Sequence, residues 1–215
     1  MAICTNPRYR VLVDGDCPAT LPVTKYFDGW NVLNTNQTGD QLGILFLPSY
    51  GSGPKNVSGT RATILSVEVI YFHSSPPETS ATTGIYIPHP QVNRVIVFLD
   101  REAVSSHSVT NLSELLTWDS GGYYPFIGLP NVETQSRFEI LYDAFTALSG
   151  YGENGGLLAN RPFIEFPEGL PYTFRYAGGS PFPTSNNLYI GVLGSAPVTY
   201  RGSVYYMSRV RFVDN

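Results

Sequence analysis

The chain has 215 residues, of which 42% are hydrophobic and only 14% charged, and its formal net charge is −4. An acidic total excludes attraction to nucleic acid by bulk charge. The lack of any run of ~18 apolar residues gives no candidate membrane-spanning helix, and nothing at the N-terminus has the charged start and apolar core of a signal peptide. The length suits one all-β domain able to bury a sizeable core.

In chain order, residues 1–23 read as an irregular N-terminal segment, and 24–215 as one sandwich domain cut into short pieces by seventeen Pro and twenty-one Gly. A first strand is expected in Thr24 to Asn34; Gly39 to Pro48 contains a short apolar run, Ile44-Leu45-Phe46-Leu47, before the turn cluster from Tyr50 to Pro54. Thr60 to His73 is rich in β-branched residues and reads as a long strand. Val92 to Asp100 carries five apolar residues, Val95 to Leu99, between Arg94 and Asp100, the pattern of a buried strand. The segment from Arg101 to Val132 is a long loop with one helical turn capped by Asn111. Strands follow at Arg137 to Leu148, Arg161 to Phe166, Pro171 to Tyr176, Asn187 to Leu193 and Val204 to Val213. In the last of these, Val204, Tyr206, Ser208, Val210 and Phe212 share a face, and Arg209 and Arg211 point the other way. The expected fold is therefore all-β, an eight-stranded antiparallel jelly-roll sandwich with long loops.

No catalytic constellation stands out, and the chain reads as a non-enzyme without a cofactor. His73, His89 and His107 lack the spacing of a metal pair. Gly-x-Ser-x-Gly is absent. The glycine cluster from Gly150 to Gly156 lacks the Lys and Ser/Thr of a phosphate loop and reads as a hairpin tip, and Asp14-Gly-Asp16 reads as a solvated turn. Sequons begin at Asn36, Asn56 and Asn111, with no leader to bring them to a glycosylating compartment. Cys4 and Cys17 read as free thiols, with a disulfide left open by their spacing. The scarcity of charge, with fifteen Tyr and twelve Phe, suits a surface consumed by contacts between copies, although aromatics also fill β-rich cores.

The order of several short motifs adds a family. The Arg-started apolar strand Arg94 to Asp100, the later Asn131-x5-Arg137-Phe138-Glu-Ile-Leu-Tyr-Asp143, Gly59-Thr-Arg61, Asn187-Leu-Tyr-Ile, and the terminal Arg209-Val-Arg-Phe-Val-Asp214 lie in one sequence over roughly three quarters of the chain. Together they resemble the coat proteins of small circular, Rep-encoding single-stranded DNA viruses, the circovirus-like group whose fold is shared with the satellite tobacco necrosis virus type. The resemblance implies a capsid domain that self-assembles into a small icosahedral shell of sixty subunits around single-stranded DNA, located in the virion, with host compartment and receptor unspecified. It picks out Arg61, Arg94, Asp100, Arg137 and Asp143, either as structural ion pairs at strand ends or as inter-subunit groups. A different class of function is a jelly-roll carbohydrate- or receptor-binding module in which Trp30, Trp118 or loop tyrosines stack on a ligand. A cupin-type enzyme would need a His/Glu metal cluster.

Coat proteins of that group begin with an Arg-rich arm, whereas before Gly59 this sequence offers Arg8, Arg10, Lys25 and Lys55 against Asp14, Asp16, Asp28 and Asp40. Either an arm lies upstream of Met1 or the genome is held by other contacts. Expected nucleic-acid contacts are Arg8, Arg10, Arg175, Arg209 and Arg211, and binding should be weak. Trp118, Tyr123, Tyr124 and Phe126, in the long loop, are the expected inter-subunit contacts.

Overall fold

The computed structural model describes residues 5–6, 9–13, 25–57, 60–74, 91–102, 109–117, 127–148, 157–166, 173–176, 183–195 and 202–214. The strands are β1 (Thr5–Asn6), β2 (Tyr9–Val13), β3 (Lys25–Thr35), β4 (Gln41–Ile44), β5 (Arg61–Ser74), β6 (Gln91–Asp100), β7 (Phe138–Leu148), β8 (Leu157–Asn160), β9 (Pro162–Glu165), β10 (Thr173–Tyr176), β11 (Pro183–Ser185), β12 (Asn187–Gly194) and β13 (Gly202–Asp214). Two 3-10 turns, Leu112–Glu114 and Val132–Thr134, are capped by the side chains of Asn111 and Asn131, which accept from the backbone N–H groups of Ser113 and Glu133. The first cap is the one the sequence signals; the second lies in the same long loop and uses the same chemistry.

All strand pairings between these elements are antiparallel, in two sheets. In the first, β13 lies between β3 and β5, and the far edge of β5 is paired in turn by β8, β9 and β10. These three run along β5 from Ser74 to Arg61 as one interrupted strand. The first break falls at Arg161-Pro162, where proline removes a ladder donor, and the second lies between Glu165 and Thr173, across residues outside those described. The second sheet runs β4-β12-β6-β7. With β1, β2 and β11, which add to the first sheet at β9 and β10, set aside and the interrupted strand counted as one position, the first sheet holds the first, eighth, third and sixth positions of the path. The second sheet holds the second, seventh, fourth and fifth. That interleaving of two Greek keys is the jelly roll.

Between the sheets lies the main core. Val95, Val97 and Leu99 of β6 meet Leu188, Ile190 and Val192 of β12, and opposite them stand Ile64, Val67, Val69 and Tyr71 of β5 with Val204, Val210 and Phe212 of β13. The alternate residues of β6 and β12 are buried as well. Ile96, Phe98, Tyr189 and Leu193 form a second cluster with Val109, Leu112, Leu115 and Leu116. This second cluster explains why Val95 to Leu99 is apolar without alternation: the strand has a core on each side. Gly191 belongs to the same design, because a Cβ there would stand 2.6 Å from Leu112 Cδ2.

Two expectations are corrected. The length and aromatic content of the loop from Arg101 to Asn131 suggest an inter-subunit or exterior element rather than core, yet residues 109–117 form the cover of the second sheet, with Leu112 fully buried. Loop length does not reveal that an apolar Leu112-x-x-Leu-Leu116 stripe has a sheet to land on. The segment 1–23 is not wholly irregular: β2 extends the edge at β9, in register Arg10↔Glu165 through Val13↔Pro162. The apolar run Ile44 to Leu47 is only partly strand: β4 ends at Ile44, Leu45 still donates its N–H to the Leu188 carbonyl of β12 at 2.8 Å, and Leu45 and Phe46 are buried in the core. A short apolar run has the same appearance in either role.

Candidate assembly interface

The outer face of the first sheet carries the most unusual surface among the described residues. Because side chains opposite one another share a face, the register places Val32, Tyr205 and Phe72 in one row across β3, β13 and β5, and Trp30, Met207 and Ile70 in the next. All six are exposed, Trp30 at 78% and Met207 at 64% of their full area. Phe72 and Tyr205 stack, with ring centroids 4.8 Å apart and planes 7° from parallel. The inward neighbours Leu33, Val204, Tyr206, Val69 and Tyr71 are buried. These strands are therefore apolar on both faces, although only one face has a sheet to cover it.

Polar rows bound the apolar ones. On one side lie Asn34, Ser203 and Ser74; on the other lie Asp28, Arg209 and Glu68, and beyond them Tyr26, Arg211 and Ser66. Arg209 donates from Nε and Nη2 to the two oxygens of Asp28 at 2.7 and 3.0 Å, and this pairing holds the Asp28 carboxyl below the usual range. Glu68 takes Arg161 at 2.8 Å through Nε, with Arg211 3.8 Å away. A shallow groove of about 210 Å³ lies between the apolar and ionic rows, lined by Ile70, Met207 and the Asp28–Arg209 and Arg161–Glu68 pairs. That is below the ~300 Å³ at which ordinary ligand pockets begin.

A second set of ion pairs fastens the cover of the other sheet. Arg94 on β6 donates to both oxygens of Asp143 on β7, at 2.8 and 2.6 Å, and to the carbonyl of Gly128 at 2.6 Å. Arg137, just before β7, donates to both oxygens of the fully buried Asp100, at 2.9 and 2.8 Å, and reaches Glu114 in the first 3-10 turn at 3.0 Å. These hydrogen bonds raise the guanidinium pKa further, Asp100 first and Glu114 after it. Each arginine thus joins a strand of the sheet to a point on the loop that covers it.

At one end of the sandwich a polar group is buried: Thr35, Gln91 and Asn93 with His73, whose Nδ1 is 3.4 Å from Asn93 Nδ2. Burial pushes the His73 imidazole from 6.5 down to about 4. The unfolded chain therefore takes up a proton near pH 6.5 that the folded chain refuses until about pH 4. The stability that this difference supplies is full above pH 6.5 and is lost as pH falls toward 4, on the order of 3 kcal/mol in all. Thermal melts of the wild type between pH 7 and 4.5 should show this decline, and His73→Gln should flatten it. Superimposable pH profiles would rule out His73 as its source.

The residues singled out in the sequence fall as follows. Arg94, Asp100, Arg137 and Asp143 come together in the two pairs above. Arg61 is exposed at the start of β5, opposite the exposed Arg175, and makes no ion pair with a described residue in the structure. Arg209 and Arg211 lie on the outer face beside carboxylates. Arg10 is in β2, and Arg8, Trp118, Tyr123, Tyr124 and Phe126 lie outside the described residues, as do His89, His107, Cys4 and Cys17. Among the described residues, no three His, Cys, Asp or Glu gather as a metal site. The sequence reading missed the six-residue apolar face. Its signal was present in β13, where Tyr205 and Met207 interrupt the polar side that Arg209 and Arg211 continue.

No protein-family model matches the chain, and no curated protein matches it in sequence. Among solved structures it is similar to the VP1 pentamer of human polyomavirus 7, with 11% identity over 90% of this chain and 97% of that one and a TM-score of 0.26. It is also similar to the capsid of Penaeus monodon metallodensovirus, with 8% identity over 94% of this chain and 80% of that one and a TM-score of 0.25. At such scores the fold stands on the chain's own strand order.

Proposed function

We propose that the chain is a viral coat protein, a single jelly-roll capsid domain that self-assembles into a small icosahedral shell. The finer reading, from the sequence resemblance, is sixty subunits around single-stranded DNA, in the virion. The observation that carries the proposal is the pair of exposed apolar rows on a rigid jelly-roll sheet. Soluble monomers rarely leave contiguous apolar patches of that kind open, and such patches mark interaction sites. The scarcity of charge in the whole chain supports the same reading, since interface cores are depleted in charge. Assembly rather than catalysis is then the mechanism, with individually weak contacts made cooperative by closed symmetry. Trp118, Tyr123, Tyr124 and Phe126 are proposed as further inter-subunit contacts. Weak cargo contact is proposed through Arg8, Arg10 and Arg175, with Arg209 and Arg211 as lesser contributors because they already face Asp28 and Glu68.

One observation favours a second reading. Trp30 projects from the sheet with most of its indole in solvent, as a platform for a sugar ring would. Electron microscopy of the purified protein separates the two. Uniform closed particles are expected; monomers at every salt and pH condition, with retention on a glycan array that Trp30→Ala abolishes, would replace the coat reading by the binding-module one.

A further inference from the structure

We infer that the outer face of the first sheet packs on the same face of a second copy of this chain, about a two-fold axis through the Trp30-Met207-Ile70 and Val32-Tyr205-Phe72 rows. The inference deepens the coat-protein reading and rests on it for the role of the contact, though not for its existence.

Area is the first argument. Four rows of residues on three strands oppose one another about this axis, from Asn34-Ser203-Ser74 to Asp28-Arg209-Glu68; the Tyr26-Arg211-Ser66 row lies outside the overlap. At ordinary strand spacing and rise they cover a flat footprint on the order of 400 Å². With the relief of projecting side chains such as Trp30 and Met207, this suits a contact at the weak end of specific interfaces, under ~1,200 Å² in total. The two apolar rows lie near its middle, with polar rows at its rim, which is the anatomy of a protein–protein contact.

Charge is the second argument, and it selects the partner. Phosphate recognition needs cations that are not already neutralised. In the ionic rows Arg209 is paired with Asp28, and Arg161 and Arg211 share Glu68, while Lys55 lies over the Tyr26 ring outside the overlap. No cation stands in the apolar rows, where the phosphate of a base stacked on Trp30 would have to sit. A two-fold rotation lays the ionic row of one copy over the neutral Asn34-Ser203-Ser74 row of the other, so no like charges are opposed. Two sheets related in this way pack about 10 Å apart with interdigitated side chains. The contact is isologous, so it closes as a dimer and leaves the loops free for other contacts.

The test uses the full chain and the double variant Trp30→Glu, Met207→Glu. Both positions are mostly exposed in the single chain, so at a dilution where the wild type is monomeric the variant should fold and melt as the wild type does. Sedimentation velocity is expected to show self-association of the wild type, weakened more than ~tenfold in the variant, as for loss of interface hot spots. In a background with Cys4 and Cys17 replaced by Ser, Met207→Cys should give a covalent dimer with a short bis-maleimide, because Met207 lies beside the proposed axis. Undiminished association of the double variant, or no cross-linked dimer, would overturn the inference. So would binding of a (dT)30 oligonucleotide that quenches Trp30 and is lost in the variant while self-association is kept, since that would make the face a base-stacking platform. Failure of the coat reading looks different: the dimer forms and cross-links, but no closed particle appears by microscopy.

Discussion

Arg137→Ala is expected to lower the melting temperature by roughly 10 °C, at about 2–4 °C per kcal/mol for a chain of this size. The reason lies in the partner. Asp100 is fully buried at the end of β6, and both of its oxygens accept from Arg137. Its Oδ1 also accepts from the Glu102 N–H at 3.0 Å, which does not neutralise it. Removing the guanidinium leaves a buried carboxylate without its counter-charge, at a cost of about 3–5 kcal/mol. The same change removes the Arg137 contact to Glu114 Oε2, leaving Oε1 on the Thr110 N–H, and so cuts one of the ties that hold Leu112 and Leu115 on the second sheet. Arg137→Ala with Asp100→Asn should recover part of the loss, because the buried charge is then gone. Calorimetry of the three variants checks this, and a single mutant that melts within 2–3 °C of the wild type would show that the pair holds little.

Phe46→Ala is expected to cost a similar amount, about 3–5 kcal/mol, through the cavity it leaves. Phe46 is fully buried where the chain leaves β4, and its ring meets Phe212 at 5.0 Å, Phe174 at 5.4 Å and Phe27 at 6.1 Å, each edge to face. These neighbours come from β13, β10 and β3, so one ring ties together three strands of the opposite sheet. Urea denaturation should show the loss as a lower midpoint with an unchanged slope. Val132→Ala, away from the apolar rows, is the control and should change stability little, since Val132 is 70% exposed. A Phe46→Ala loss below about 1 kcal/mol would mean that the core closes over the gap.

Much of the roll was legible because its long strands carry their signal locally. Val95 to Leu99, Arg137 to Leu148 and the alternation from Val204 to Phe212 fixed the type and nearly the ends of three strands. Asn111 marked its 3-10 turn through a side-chain cap that acts within two residues. What stayed hidden depends on tertiary placement. Leu112-x-x-Leu-Leu116 is an apolar stripe whose destination, the outer side of β6 and β12, is set by residues such as Gly191 far along the chain. Tyr9 to Val13 is a strand because β9 offers it an edge. The apolar outer face was visible only as isolated residues, since Trp30, Ile70 and Met207 become neighbours through a register that no local pattern states. The arginines were easier. An Arg at a strand start and an acid at a strand end are readable as partners, but the loop residues Gly128 and Glu114 that complete each clamp were not.

The central position of β13 has a consequence for biosynthesis. It is made long after β3 and β5, yet it is the strip to which both of them bind. After Ser74 has emerged, the chain as far as β13 takes on the order of ten seconds to follow. During that time two long strands, apolar on both sides, wait with their inner edges unfilled. The first sheet therefore closes only once β13 has emerged, in a slow step dominated by contacts distant in sequence. A chain truncated before Gly202 would display those edges permanently, and would be a substrate for chaperones or for aggregation.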